Sequence, residues 1–284
     1  MRLVWKTMTV RDAIAEAAAV IARRDAETLL SHVLRQERAW LLGHPEASVG
    51  EAERLEFRAL VARRAGREPL QYLTGVQEFL GLPLRVTRDT LIPRPETEHL
   101  VEAVLAWVSS RAWEGAVRIV DVGTGSGAIA VALAKQLPTA EVWAGDVSGA
   151  ALAVARGNAE ALGVKVRLVE SDLLAGLGGQ AWDVVVSNPP YVPSGDAAEM
   201  QAEVRDFEPH GALFAGEDGM AVYRRLVPQA WDALRPGGLL AMEFGFGQRA
   251  LMAELLAGWE SVRFVEDYAG IPRVMVAERP GNRE

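Results

Sequence analysis

The sequence predicts an α/β fold, a mainly parallel sheet covered by helices on both faces, with a small helical domain in front of it. Three observations predict it. From residue 117 onward, short β-branched runs alternate with helical segments, the signature of repeated strand–helix units. The first stretch of the chain instead places its apolar residues at helical spacing. The strand ends of the later region carry glycines, acids and an Asn-Pro-Pro-Tyr tip, and carboxyl ends of strands are where open α/β sheets bind ligands.

The elements follow in order. Thr9 can cap a helix running through Ala13, Ile14, Ala17 and Ile21, and Asp25 opens a second with Leu29, Leu30, Val33 and Leu34 on one face. Ser48 and Glu51 have the spacing of a capping box before Leu55, Ala59 and Ala62, and Gly66 with Pro69 stops that helix. Residues 1–70 are thus expected to be a helical domain. Tyr72-Leu73, Thr74-Gly75 and the run from Val76 read as a hairpin with a glycine turn, so 71–90 is the expected linker. The main domain is expected over 91–284. In it Pro95 suits the first turn of a helix through Leu100, Val101, Val104 and Leu105. Strands follow at 117–122, 141–147, 164–169, 182–186, 239–244, 263–265 and 273–278. Helices fall at 127–137, 150–162, 220–234 and 251–256.

Composition narrows the function classes. Half of the 284 residues are hydrophobic and 24% are charged, with a net charge of −8. The acid excess lies after residue 80, and a nucleic-acid grip usually needs a basic face. No apolar run approaches the ~18 residues that span a bilayer, and residues 1–10 lack an apolar signal-peptide core. There is no cysteine, which removes disulfides, thiolate metal sites and cysteine nucleophiles together. His32, His44, His99 and His210 are scattered without ligand spacing, so no metal is expected. The eight tryptophans, Trp5 among them, are expected in core or edge packing.

Asp121-Val122-Gly123-Thr124-Gly125-Ser126-Gly127 lies between a strand and its helix. Three glycines in five residues allow a sharp turn and close ligand approach. Asp146 and Asp172 end the next two strands, suiting a nucleoside. A phosphate-binding loop would need Gly-Lys-Ser/Thr, whereas Gly127 is followed by Ala128-Ile129. A dinucleotide loop would read Gly-x-Gly-x-x-Gly. Asp121 would repel a pyrophosphate but suits the amino or sulfonium end of S-adenosyl-L-methionine, which is the favoured cofactor.

Ser187-Asn188-Pro189-Pro190-Tyr191 ends the strand at 182–186. Two prolines remove two N–H donors and hold Asn188 extended. The Asn188 side-chain carbonyl and the Pro189 main-chain carbonyl are acceptors suited to an NH2 group, and Tyr191 offers a flat face. Such a tip fits methyl transfer to an amide or an exocyclic amine, and alone it does not choose between them.

The loop and the tip resemble the class I methyltransferases that modify planar nitrogens. Gln71-Tyr72-Leu73-Thr74-Gly75, Leu91-Ile92-Pro93-Arg94-Pro95-Glu96-Thr97-Glu98, Glu208-Pro209 and Gly216-Glu217-Asp218-Gly219 narrow the resemblance to the HemK/PrmC family, the release factor glutamine methyltransferases. It covers most of the chain. The resemblance implies a Rossmann-like class I methyltransferase domain with a mostly parallel seven-stranded sheet and S-adenosyl-L-methionine as cofactor. It implies methylation of the glutamine amide in the Gly-Gly-Gln loop of class 1 peptide chain release factors, with no stable nucleic acid or membrane partner and a cytoplasmic setting. By motif, Gly123, Thr124, Gly125, Ser126, Gly127, Asp146, Asp172, Leu173 and Asn188 would contact the cofactor. Asn188, Pro189, Pro190 and Tyr191 would hold the glutamine, with Asn188, Pro189 and Tyr191 at the catalytic step. Leu173 stands where members often carry a bulky aromatic. The N-terminal helices become a partner-docking domain. Phe244-Gly245-Phe246-Gly247-Gln248 resembles a family segment without an assigned role. The alternatives are an adenine methyltransferase on DNA or RNA, a nicotinamide dehydrogenase, and a non-catalytic scaffold.

Overall fold

A computed structural model describes residues 8–177, 179 and 181–281. Trp5 lies outside them. The chain divides into two compact units, the first ending at Gly75 and including Gln201–Phe207, the second formed by Val76–Met200 and the chain from Glu208 onward.

In the first unit α1 (Val10–Ala17) starts at Thr9, whose hydroxyl accepts from the Asp12 N–H while the Asp12 carboxylate accepts from the Thr9 N–H. Helices α2 (Arg23–Leu34), α3 (Arg38–Gly43), α4 (Glu51–Ala65) and α5 (Leu70–Thr74) follow. Their shared core includes Ile14, Leu29, Leu30, Leu41, Phe57 and Leu60. Two sequence expectations are corrected here. Ser48 does not cap α4; it is bridged to Thr9, and the helix starts from Gly50 without a side-chain cap. Helix α4 buries Phe57, Leu60 and Val61 and leaves Leu55 58% exposed. Its apolar residues fall at several phases, so the neighbours it packs against choose the buried face.

The second unit opens with a hairpin of β1 (Val76–Phe79) and β2 (Leu82–Arg85). Its turn is Leu80-Gly81, with φ of 49° and 74°, a pairing that matches strand twist. The expected turn at Thr74-Gly75 is corrected: Tyr72 and Leu73 belong to α5, and Gly75 ends that helix in the left-handed conformation. Phe79 and Leu84 pin the hairpin to the core of this unit. A 3-10 turn (Pro95–Thr97) begins on its proline and runs into α6 (Glu98–Ser109).

Next come β3 (Arg118–Val122), α7 (Ala128–Gln136), β4 (Glu141–Asp146), α8 (Gly149–Ala161), β5 (Val166–Glu170) and β6 (Trp182–Ser187). After α9 (Ala202–Phe207), which belongs to the first unit, come α10 (Ala221–Ala233), β7 (Leu234–Glu243), α11 (Arg249–Leu255), β8 (Glu260–Glu266) and β9 (Pro272–Glu278). The seven strands lie in the order β5-β4-β3-β6-β7-β9-β8. Pairing is parallel from β5 to β7, and β9 is antiparallel to both of its neighbours. All six residues of β6 are buried. Val184 and Val186 pack on one face with Ile119 and Leu133, while Trp182 and Val185 pack on the other with Val120 and Tyr223. A strand covered on both faces reads as a continuous apolar run for this reason.

Candidate active site

The chain runs outward from β3 to β5 and then returns to place β6 on the other side of β3. The crevice above such a reversal is the ligand site of open α/β sheets. Asp121 pairs in register with Val186, and the Ser187 hydroxyl donates to the Val122 carbonyl at 2.6 Å. The glycine loop after β3 and the Asn-Pro-Pro-Tyr tip after β6 therefore emerge side by side.

Gly123, Gly125 and Gly127 have φ of 73°, 55° and 82°, a region that disfavours any Cβ. An added Cβ would meet nothing within 4 Å at Gly123 or Gly125, but would lie 3.0 Å from the Ala155 Cβ at Gly127. The first two glycines make the turn and leave backbone facing a cavity. The third seats α7 against α8 and lies off the cavity wall. Asp146 straps the loop down: its carboxylate accepts from the Gly125 N–H at 2.8 Å and from the Ser148 N–H at 2.9 Å.

The cavity holds about 390 Å³, a size suited to a small-molecule cofactor. It brings together Gly123, Thr124, Gly125 and Ser126 with Asp146, Asp172 and Leu173, and reaches Asn188 and Pro190. Pro189 and Tyr191 adjoin these residues in the tip without lining the cavity themselves. Leu173 holds a positive φ of 53° at the rim, where Asp172 is paired with Arg225 at 2.6 Å.

Asp121 is placed differently from the sequence expectation. It is fully buried beneath the loop, where one oxygen accepts from the Thr124 hydroxyl at 2.6 Å. It stabilises the loop from below. Burial pushes its carboxyl up to about 7, against the opposing hydrogen bond from Thr124. The folded state thus keeps a proton that the unfolded chain loses near pH 4, so Asp121 favours folding least at high pH. Stability should decline as pH rises from about 4 to 7 and then level off, by up to roughly 4 kcal/mol from this group. Asp121→Asn is expected to make that decline shallower, measured as Tm against pH; a slope identical to wild type would refute the assignment.

At the tip, the Asn188 Nδ2 donates to the Thr97 Oγ1 at 3.1 Å, and Thr97 donates to the Glu243 Oε2 at 2.6 Å. Glu243 ends β7, is 2% exposed, and also receives the Tyr191 phenol at 3.4 Å. The Tyr223 phenol donates to its main-chain oxygen at 2.8 Å. Burial pushes the Tyr191 phenol well above its ordinary value, so it stays neutral. Gln248 clamps the tip from behind. Its Nε2 donates to the Tyr191 carbonyl, and its Oε1 accepts from the Gly245 N–H, both at 2.9 Å. The 91–98 and 208–209 stretches also meet: the Glu208 carboxylate accepts from the Ile92 N–H at 3.1 Å and from Arg94 at 2.5 Å. Sequence reasoning did not single out Glu243, and it named Gln248 only within the 244–248 segment, to which it gave no role. The structure supplies that role: a Cβ on Gly245 would lie 2.9 Å from Gln248, so the glycine leaves room for the clamp.

The PrmC N-terminal domain matches residues 9–75, and the methyltransferase small domain matches residues 103–206. The release factor glutamine methyltransferase of Koribacter versatilis is 45% identical, covering 91% of each chain. The enzyme of the same name from Escherichia coli is 42% identical over 93% of this chain and 95% of its own. A methyltransferase from Pyrococcus furiosus superposes with a TM-score of 0.52 at 21% identity, over 77% of this chain and 99% of its own, which shows a shared fold. With a glycine loop and an Asn-Pro-Pro-Tyr tip side by side at the sheet reversal, and relatives this similar along nearly its full length, the chain belongs to the release factor glutamine methyltransferase family.

Proposed function

We propose that this chain methylates the side-chain amide nitrogen of the glutamine in the Gly-Gly-Gln loop of class 1 peptide chain release factors, using S-adenosyl-L-methionine. The observation that carries the reading is the Asn188 amide at the end of the cavity. Its nitrogen is engaged by Thr97, which leaves its oxygen to accept from a substrate N–H.

The cavity wall fits the cofactor. A carboxylate has about four acceptor positions, and the loop uses two at Asp146, leaving others for ribose hydroxyls. Leu173 and Val147 supply apolar edges for a purine. When bound, S-adenosyl-L-methionine supplies an electrophilic methyl group. The residues of the chain do the rest. Asn188 Oδ1 and the Pro189 carbonyl accept the two amide hydrogens, which pulls the nitrogen toward a pyramidal shape and aims its lone pair. Pro189 and Pro190 bring no N–H to compete. Tyr191, held neutral, supports the tip with its ring. The N–CH3 bond forms as the S–CH3 bond breaks, and the amide proton leaves to water. Alignment rather than a strong base lowers the barrier. A carboxylate in this place would face acceptors only and be rejected.

The N-terminal helical unit is proposed to dock the release factor, with the passage from Gly75 to Val76 as the junction in place of a linker over 71–90, and with the cytoplasm as the setting. Among the described residues no helix is long and apolar enough to cross a membrane. The test offers labelled methyl donor with a release factor, with its Gln→Ala form in the Gly-Gly-Gln loop, and separately with DNA or RNA. Label is expected in the first alone; label only in nucleic acid would overturn the reading.

A further inference from the structure

Asn188 can present either end of its amide to a substrate, and only one end accepts hydrogen bonds. What decides lies outside the tip. Thr97 closes the 3-10 turn and is 3% exposed; Glu243 closes β7 and is 2% exposed. The Thr97 hydroxyl has a single proton, and that proton goes to Glu243 at 2.6 Å. An ionised carboxylate only accepts. Thr97 is therefore left as an acceptor toward Asn188, and it takes the Asn188 Nδ2 at 3.1 Å. Flipping the amide would set the Asn188 oxygen against the oxygen of buried Thr97 and leave two acceptors facing each other without a proton between them.

We infer that Thr97 and Glu243 are positioning residues that fix which end of the Asn188 amide faces the substrate, holding Oδ1 toward an incoming NH2 group. The inference rests on the reading that Asn188 receives the glutamine amide. The polarity runs in one direction, from the Glu243 acceptor through the Thr97 hydroxyl to the Asn188 nitrogen. It makes the tip selective for a donor amide and closed to a carboxylate.

The groups facing Glu243 come from four elements. Thr97 and Glu96 lie on the 3-10 turn, Tyr191 on the segment after β6, Tyr223 on α10 and Arg273 on β9. Burial pushes the Glu243 carboxyl up to about 7 and Glu96 adds to this; the Thr97 and Tyr191 hydroxyls and the Arg273 charge oppose it. Below that pH a protonated Glu243 can itself donate to Thr97. Thr97 is then free to donate to Asn188, and the orientation is released. Activity should fall on the acid side with the titration of this carboxyl.

The test uses the full chain with S-adenosyl-L-methionine and a release factor. Thr97→Val removes the hydroxyl while keeping shape. It is expected to lower kcat about 10–100-fold, less than the roughly 100–1000-fold lost with a polar group at the reacting centre itself, because Thr97 acts through Asn188. Binding of S-adenosylhomocysteine by calorimetry should hold. Thr97→Ser should recover most of the rate. Glu243→Gln should lower kcat and abolish the acid limb of the kcat/KM profile near pH 7. An unchanged kcat in Thr97→Val, an equal loss in Thr97→Ser, or an acid limb that persists in Glu243→Gln would overturn the inference. Asn188→Ala separates the two levels. If it is inactive while Thr97→Val is unaffected, only the positioning role fails; if it is fully active, the reading of the tip fails with it.

Discussion

Asn188→Ala is expected to lower kcat/KM for release factor methylation by about 10²–10³-fold, the scale on which a single preorganised polar group at a reacting centre acts. Binding of S-adenosylhomocysteine should stay close to wild type, because the cavity wall also includes the loop after β3, Asp146, Asp172 and Leu173, which the substitution leaves in place. The melting temperature should also change little, since Asn188 is only half-buried and its partner Thr97 retains Glu243. A companion variant sharpens the result. Asn188→Asp keeps an acceptor toward the substrate but turns a second acceptor toward Thr97. Thr97 would then have two carboxylates and one proton, so this variant should fall about as far as alanine. The two rates, measured at saturating cofactor with calorimetric binding alongside, check both claims. Wild-type turnover in Asn188→Ala would remove Asn188 from the chemistry.

Much of this site was legible in the sequence because its signals are local. A β-branched run ended by two prolines marks a strand tip wherever the strand pairs, and β6 is that strand. Three glycines after a strand mark a loop that needs positive φ, and all three adopt it. The alternation of strands and helices predicted a mainly parallel sheet, but not the order of its strands, which long-range pairing decides. What the sequence concealed depends on partners far along the chain. Thr97 and Asn188 are 91 positions apart, and Thr97 and Glu243 are 146 apart. No periodicity joins such residues, and Glu243 reads simply as the polar end of a strand. Asp121 was misjudged for a related reason: its position in the motif is evident, but its direction is set by Thr124 and by the packing beneath the loop. The hairpin was displaced because Gly75 and Gly81 both suit a left-handed residue. Only the helix over Leu70–Thr74 decides that the first ends a helix and the second makes the turn.

Gly219→Ala should damage both stability and substrate use, through a contact that the motif alone does not reveal. Gly219 has φ of 74°, and a Cβ there would lie 2.2 Å from the Tyr191 carbonyl oxygen and 2.5 Å from the Gln248 Nε2. The carbonyl is backbone and cannot swing aside. It is held by Gln248, and the next residue, Val192, exchanges hydrogen bonds with Leu213 and Ala215. A left-handed residue with a Cβ costs about 1–2 kcal/mol, and overpacking adds about 1–3 kcal/mol. Gly237→Ala separates the two terms, since Gly237 has φ of 76° and open space around its added Cβ. Each kcal/mol should move Tm by about 2–4 °C in a domain of this size. The extra fall in Gly219→Ala over Gly237→Ala therefore measures the clash alone. Relief of that clash must push on Tyr191, two residues from the Pro189 carbonyl that faces the amide in the proposed reaction. Gly219→Ala should then raise KM or lower kcat for the release factor while cofactor binding holds, and Gly237→Ala should do neither. Equal melting temperatures and equal kinetics in the two variants would show that the close approach of Gly219 to the tip has no consequence, and that the tip is held by Gln248 and β6 alone.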